Sequence, residues 1–274
     1  MRGIMMWSVL AVSAIGMTAP AASVTPKVAR VVPSPLPTVY VYDHCPFCVR
    51  VRLALGIKNV KHNVNFMAND DVATPTAMVG KKIAPIFVSG DLIMPESLDI
   101  IEYVDSKDEF GPTGMIKPAS GRTDFKAWQK KVQEVMRQLV RPRYVKAVGF
   151  PEFAQKDGRM AFIKNHQLPP YEKAEWKDDK VVPMDQRLAL YDEALTKSNE
   201  LLPELNAALA ELEDMIHCPE CATEGGLSLD DIDLWSRLRS VTLVKGAVLP
   251  PKVRAYMEYF SELGDMPLYD SMAI

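Results

Sequence analysis

Cysteine is scarce in this chain: 4 among 274 residues, too few to staple a domain framework together. An excess of either charge is missing too. Lys and Arg number 32 against 35 Asp and Glu, which leaves a net charge of −3 and no long block of one sign. That excludes the basic footprint of a nucleic-acid binder, so no nucleic-acid partner is expected. Long apolar runs are lacking as well. The stretch "IMMWSVLAVSAIGM" near the start has 14 residues, short for a membrane span, so no stable membrane anchor is expected. No internal repeat occurs. What remains is 48% hydrophobic and 24% charged, an ordinary globular composition in a chain long enough for two domains.

Residues 1–37 differ from the rest. Arg2 precedes the apolar stretch, and Ala19-Pro20-Ala21 follows it with a small-x-small pattern, as in a secretory signal peptide. Ser23 to Pro37 holds Lys27, Arg30 and four prolines with no acid, and reads as a linker or as the second part of an organelle signal. Export or organelle targeting is the expectation. A cytoplasmic protein would follow if the start were misassigned.

From Thr38 the pattern is regular. "TVYVY", "KHNVNFM", "IAPIFVS" and "LIMPES" read as strands, while "PFCVRVRLALGI", the stretch inside "NDDVATPTAMVG" and "ESLDIIEYVDSK" read as helices. The order β-α-β-α-β-β-α predicts a parallel crossover followed by a hairpin, over residues 38–110. From about Gly121 only helical periodicity is left: residues 124–140, 185–216, 228–244 and 251–263. Asp157 to Pro183 is polar and proline-punctuated, and is expected to be a long connection. The fold class is therefore α/β plus all-α, with a helical domain over 121–274.

The four cysteines form two C-x-x-C pairs, in "YDHCPFCVRVR" and "IHCPECATEGG". Cys45 ends the turn after the first strand, and Pro46 suits the first helical position because no partner awaits its missing N–H. A thiol at a helix N-terminus is stabilised as thiolate, the nucleophilic form. Cys48 lies one turn further in, placed to attack a disulfide made at Cys45. A C-x-x-C near a β-α-β pattern points to a thioredoxin-like redox site. Two alternatives stand beside this: a zinc ribbon shared with Cys218 and Cys221, and a pair of inert buried thiols. Against zinc, the pairs lie about 170 residues apart in different predicted domains, and no metal is expected. Pro85 at the head of an apolar strand suggests a cis peptide after Ala84, or else an edge strand. Glu96 and Ser97 open a helix, where they would hold the carboxylate and ammonium of a γ-glutamyl group or serve as an ordinary cap.

"YDHCPFC", "NDDVATPTAMVG", "APIF", "MPESLDIIEYVD" and the ending "SMAI" resemble the large bacterial glutaredoxin type 2 family, from about Thr38 to Ile274. "LSLDDIDLWSRLRSVTLVKG" carries the likeness into the helical half. The resemblance implies a glutathione-transferase-like architecture, with an N-terminal thioredoxin-like domain and a C-terminal helical bundle. It implies glutathione as co-substrate, and glutathionylated or disulfide-bonded proteins as partners of a monomer. Cys45 would be the nucleophile and Cys48 the resolving thiol. Cys45, Ala84, Pro85, Glu96 and Ser97 would contact glutathione. A cysteine-type glutathione transferase and a non-enzymatic redox or partner-binding protein are the alternative functions. Three features depart from the family pattern: the targeting-like start, a longer connection near residues 165–183, and the second cysteine pair. Phe47 also stands where a tyrosine is common between the two cysteines. For Cys218 and Cys221, a local disulfide, free thiols, and a regulatory or metal role stay open.

Overall fold

The computed structural model describes residues 35–169 and 172–274; the targeting-like segment before residue 35 lies outside the described residues. Four short strands build one sheet: β1 (Thr38–Val41), β2 (Asn63–Phe66), β3 (Ile86–Ser89) and β4 (Leu92–Pro95), in the order β2-β1-β3-β4. β1 and β2 are parallel, joined across α1 (Pro46–Ile57), while β3 runs antiparallel to both β1 and β4. α2 (Ala73–Val79) and α3 (Ser97–Asp105) complete this half. The expected β-α-β-α-β-β-α order is present. β3 is an inner strand, so the edge-strand account of Pro85 does not hold; the Ala84–Pro85 peptide is cis and immediately precedes β3.

The register has a functional consequence. β1 ends where β3 begins, with Tyr40 opposite Ile86, and β4 ends there too, with Pro95 opposite Ile86. The turn carrying Cys45, the Ala84–Pro85 peptide and the Glu96–Ser97 corner therefore meet at one end of the sheet.

The helical half comprises α4 (Asp124–Lys146), α5 (Lys156–Asn165), α6 (Met184–Thr196), α7 (Ser198–Met215), α8 (Leu229–Leu238) and α9 (Pro251–Leu263). Four helix expectations need correction. The connection expected over 157–183 contains α5 and a 3-10 turn at Ala174–Lys177. Phe162, Ile163 and Trp176 from this segment are buried, a tertiary gain that its polar periodicity did not disclose. The single helix expected over 185–216 breaks at Lys197. There the Ser198 hydroxyl donates to the Leu195 carbonyl at 2.7 Å and competes with the backbone ladder. The helix expected to stop at 140 runs on past Pro142 to Lys146, because Tyr144 and Val145 are buried beyond the proline.

α8 starts at a capping box: the Ser228 hydroxyl accepts from the Asp230 N–H at 3.3 Å, and Asp231 accepts from the Ser228 N–H at 2.9 Å. α8 ends in a 3-10 turn at Arg239–Leu243 rather than continuing to Val244. The two halves share one apolar core. They pack tightly at Gly56 of α1, where an added Cβ would lie 1.9 Å from the Gly264 carbonyl oxygen just after α9. Only the absent side chain of glycine lets these backbones meet.

Candidate active site at the head of the first helix

Cys45 is the N-cap of α1, with Pro46 first in the helix, and its carbonyl accepts from the Val49 N–H at 2.9 Å. Cys45 is half-buried and Cys48 fully buried, as their helical phase requires. The Cys48 thiol hydrogen-bonds the Cys45 sulfur. This contact, chiefly, brings the Cys45 thiol down to about 6 against the opposing effect of burial; His44 and the N–H groups of Cys48 and Phe47 add to the lowering. Burial pushes the Cys48 thiol well above the ordinary cysteine range, and its hydrogen bond to Cys45 adds to that. The Tyr42 N–H also donates to the Cys48 sulfur at 3.3 Å. The pair is thus divided into an outer thiolate and an inner protonated thiol.

The turn before Cys45 is held from the helical half. Asp43 takes ion pairs from Arg52 of α1 and from the buried Arg239, the latter at 3.0 Å. Burial opposes ionisation of Asp43, but the two guanidiniums outweigh it and hold its carboxyl below the usual range. Arg239 also donates to the Tyr269 hydroxyl at 2.6 Å, and Tyr269 donates to the Asp43 carbonyl at 2.7 Å. The next residue, His44, gives its N–H to Glu152 Oε1 at 2.9 Å, and its Nδ1 lies 2.5 Å from the same oxygen. The Glu152 side chain is wholly buried, and its other oxygen has no hydrogen-bond partner among the described residues. Sequence reasoning missed both anchors. Glu152 lies 108 residues from His44, and the "DH" before the cysteine carries no local sign of distant partners.

At the Glu96–Ser97 corner, Glu96 takes φ 72° and is the N-cap of α3, yet no side chain caps that helix. A non-glycine residue there costs about 1–3 kcal/mol of backbone strain. Glu96 holds the cap position of α3, but its side chain makes no capping hydrogen bond to the first-turn N–H groups. The Glu96 carboxylate is exposed, 3.4 Å from Lys81 Nζ. Ser97 is buried and its hydroxyl accepts from Arg50 at 3.4 Å. Arg50, two residues after Cys48 in α1, also pairs with Asp233 of α8, to which Gln129 of α4 donates at 2.9 Å. Arg50, Gln129 and Asp233 form a polar cluster beside the corner that no sequence motif announced.

On the other flank of Cys45 a cleft of about 370 Å³ opens between the halves. Trp128, Val132, Tyr144 and Phe162 give it an apolar wall, and Arg137, Arg141 and Arg237 line it with cations. His166 in the same cleft stacks on Phe162 at 4.0 Å, and burial holds its imidazole down to about 3, so it is neutral at pH 7. The second cysteine pair is elsewhere, in the turn after α7, with the sulfurs 3.1 Å apart and both thiols free. The two pairs are not one site. Among the described residues no group of three or more His, Cys, Asp or Glu side chains could hold a metal ion.

Comparisons with known proteins agree on the family. The family described as "Glutaredoxin 2, C terminal domain" matches residues 182–273, and "Glutathione S-transferase, N-terminal domain" matches residues 39–113. Glutaredoxin 2 of Escherichia coli strain K12 is 34% identical over 238 residues, covering 86% of this chain and 99% of that protein. A crystal structure of glutaredoxin 2 from Salmonella typhimurium, solved in complex with glutathione, superposes with a TM-score of 0.75 at 34% identity. It covers 88% of this chain and 100% of its own. A glutathione S-transferase from Rhodospirillum rubrum F11 shares the fold with a TM-score of 0.50 at 17% identity, covering 86% of this chain and 91% of its own.

Proposed function

The chain belongs to the glutaredoxin 2 family, and on that footing we propose that Cys45 and Cys48 are the site at which it reduces disulfides with glutathione as co-substrate. The observation that carries this reading is the division of labour within the pair. Cys45 caps the N-terminus of α1 with its thiol lowered to about 6, and the buried Cys48 thiol lies one turn below it.

In a glutathione–protein mixed disulfide, the Cys45 thiolate attacks the glutathione sulfur. The Cys45–glutathione bond forms, the mixed disulfide breaks, and the protein thiol leaves with a proton from solvent. A second glutathione thiolate then attacks the glutathione sulfur held on Cys45, releasing glutathione disulfide and restoring the thiolate. In a protein disulfide, Cys45 first joins one substrate sulfur. Cys48 then displaces it, which closes Cys45–Cys48 and frees both substrate thiols. Glutathione reopens that disulfide at the accessible Cys45 sulfur, and Cys48 leaves and takes up a proton. Because Cys45 is stabilised as thiolate, it is then a good leaving group when a second glutathione attacks the sulfur held on it.

The meeting of Cys45, Ala84, Pro85, Glu96 and Ser97 at one end of the sheet supports a glutathione subsite there. The uncapped start of α3 suits the γ-glutamyl carboxylate, and the exposed Glu96 suits its ammonium. The cleft on the other flank, apolar with arginines at its edge, suits the departing protein segment.

Reduction of hydroxyethyl disulfide by glutathione, set against conjugation of chlorodinitrobenzene, tests the proposal. Fast reduction with little conjugation is expected. Conjugation that dominates would favour a transferase, and neither activity would favour a binding protein. Export or organelle targeting by residues 1–37 is proposed on sequence alone; a mature protein from its own cells that retains Met1 would overturn it.

A further inference from the structure

The second cysteine pair is built as carefully as the first, with the opposite electrostatics. After α7 ends at Met215 the chain turns back on itself. The Cys218 N–H donates to the Cys221 carbonyl at 3.0 Å and the Cys221 N–H to the Cys218 carbonyl at 3.2 Å. The His217 N–H reaches the Ala222 carbonyl at 3.1 Å, so the turn is closed by three backbone bonds. It is also pinned from outside. Arg122 donates to the Met215 carbonyl at 3.0 Å and the Ala222 carbonyl at 3.2 Å, and the Ala222 N–H donates to Asp231 in the capping box of α8 at 2.6 Å. The two sulfurs are held 3.1 Å apart, about 1 Å beyond a covalent S–S bond. Cys218 is partly exposed and Cys221 buried, the same outer and inner arrangement as Cys45 and Cys48.

We propose that Cys218 and Cys221 are a second redox site: a dithiol that closes to an intramolecular disulfide by exchange with glutathione disulfide, and that then resists glutathione concentrations able to open Cys45–Cys48. Closure takes two steps. Cys218 loses its proton and attacks one sulfur of glutathione disulfide. The Cys218–glutathione bond forms, the glutathione S–S bond breaks, and one glutathione leaves as thiolate to take up a proton. Cys221 then loses its proton and attacks the Cys218 sulfur. The Cys218–Cys221 bond forms and the second glutathione leaves. The dithiol loses two electrons and glutathione disulfide gains them.

The resistance follows from what each site does to its thiols. A site that stabilises a thiolate stabilises its reduced form and makes its disulfide a better oxidant. Cys45 has that stabilisation, at a helix N-terminus with a hydrogen bond from Cys48. The second pair has the reverse. It follows the C-terminal, negative end of α7, with Glu220 between the two cysteines and Glu224 three residues after the second. Burial pushes the Cys221 thiol up to about 12, with the Cys218 hydrogen bond and the Asp231 charge adding to it. Cys221 is a poor leaving group when the partly exposed Cys218 sulfur is attacked, so the disulfide opens reluctantly. Zinc is the rival use of a C-x-x-C turn, but the described residues offer no third ligand beside it.

The contrast with Cys45–Cys48 rests on the proposed function; closure of the turn does not, and the experiment separates them. The full chain and its Cys45→Ser/Cys48→Ser form are equilibrated without oxygen in mixtures of glutathione and glutathione disulfide. Free thiols are trapped by acid and alkylation, and the peptide spanning 216–226 is weighed. The expected peptide is two hydrogens lighter and unalkylated in both proteins. Its disulfide should persist at ratios about tenfold or more beyond those that reduce Cys45–Cys48. Thermal unfolding of the closed form should exceed that of Cys218→Ser/Cys221→Ser by a few °C, since so short a loop constrains the unfolded chain modestly. Free thiols in every mixture, a glutathione adduct that stays on Cys218 without closing, bound zinc near one per chain, or opening no later than Cys45–Cys48 would each overturn the proposal. The mass measurement on the unaltered chain decides even if the serine variant fails to fold.

Discussion

Glu152 binds His44 twice through one oxygen, at 2.9 Å to the backbone nitrogen and 2.5 Å to Nδ1, and so ties the residue before the nucleophile to the helical half. Removing that oxygen strands a buried N–H. Glu152→Ala is expected to lower stability by about 1–3 kcal/mol, while Glu152→Gln, which keeps an acceptor, should lose less. Urea unfolding measures both; an unchanged midpoint in the alanine variant would mean that the contact contributes nothing.

The Cys45 thiol at about 6 makes a pH prediction with a definite sign. A lowered thiol is mostly thiolate at pH 7, and that form is lost only as pH falls through about 6. Iodoacetamide alkylation of Cys45 should be nearly flat above pH 7, half-maximal near 6, and fall about tenfold per pH unit below that. A midpoint near the reference of roughly 8.5 would refute the lowering.

Asymmetry between the thiols should show in variants. Cys45→Ser is expected to abolish reduction of glutathione mixed disulfides. Cys48→Ser should keep a substantial part, because a second glutathione can resolve the intermediate. If both variants lose activity equally, the outer and inner roles are wrong.

At the Glu96–Ser97 corner, joint replacement by alanine should raise the Michaelis constant for glutathione at least tenfold. Hydrogen bonds to charged groups are worth about 1.5–3 kcal/mol each. The Cys45 alkylation midpoint should move little. A Michaelis constant that stays put would leave these residues with no part in glutathione binding.

Gly56 is where α1 meets the end of α9. Alanine normally gains up to about 1 kcal/mol over glycine inside a helix. Here its Cβ would lie 1.9 Å from the backbone oxygen of Gly264, and backbone cannot swing aside as a side chain would. Overpacking of about 1–3 kcal/mol should win, so Gly56→Ala is expected to lower the melting temperature. A higher melting temperature would show that the two helices part without cost.

Local chemistry was legible in the chain itself. The proline after Cys45 marked a helix start, the C-x-x-C spacing placed one thiol outside and one inside, and alternation in "TVYVY" and "KHNVNFM" marked strands of the sheet. These depend on neighbours within one or two turns, which sequence order preserves. The helix inside residues 157–183 and the break at Lys197 were not legible, because burial of Phe162 and Trp176 and a hydroxyl competing for carbonyls outweighed weak local periodicity. Nor was the company that the site keeps. Glu152 against His44, Arg239 against Asp43 and Asp233 against Arg50 join residues 108, 196 and 183 positions apart. Only packing of the helical half onto the sheet half brings them together. A buried carboxylate or guanidinium is stable only beside its partner, and nothing in the order of residues names a partner that far away.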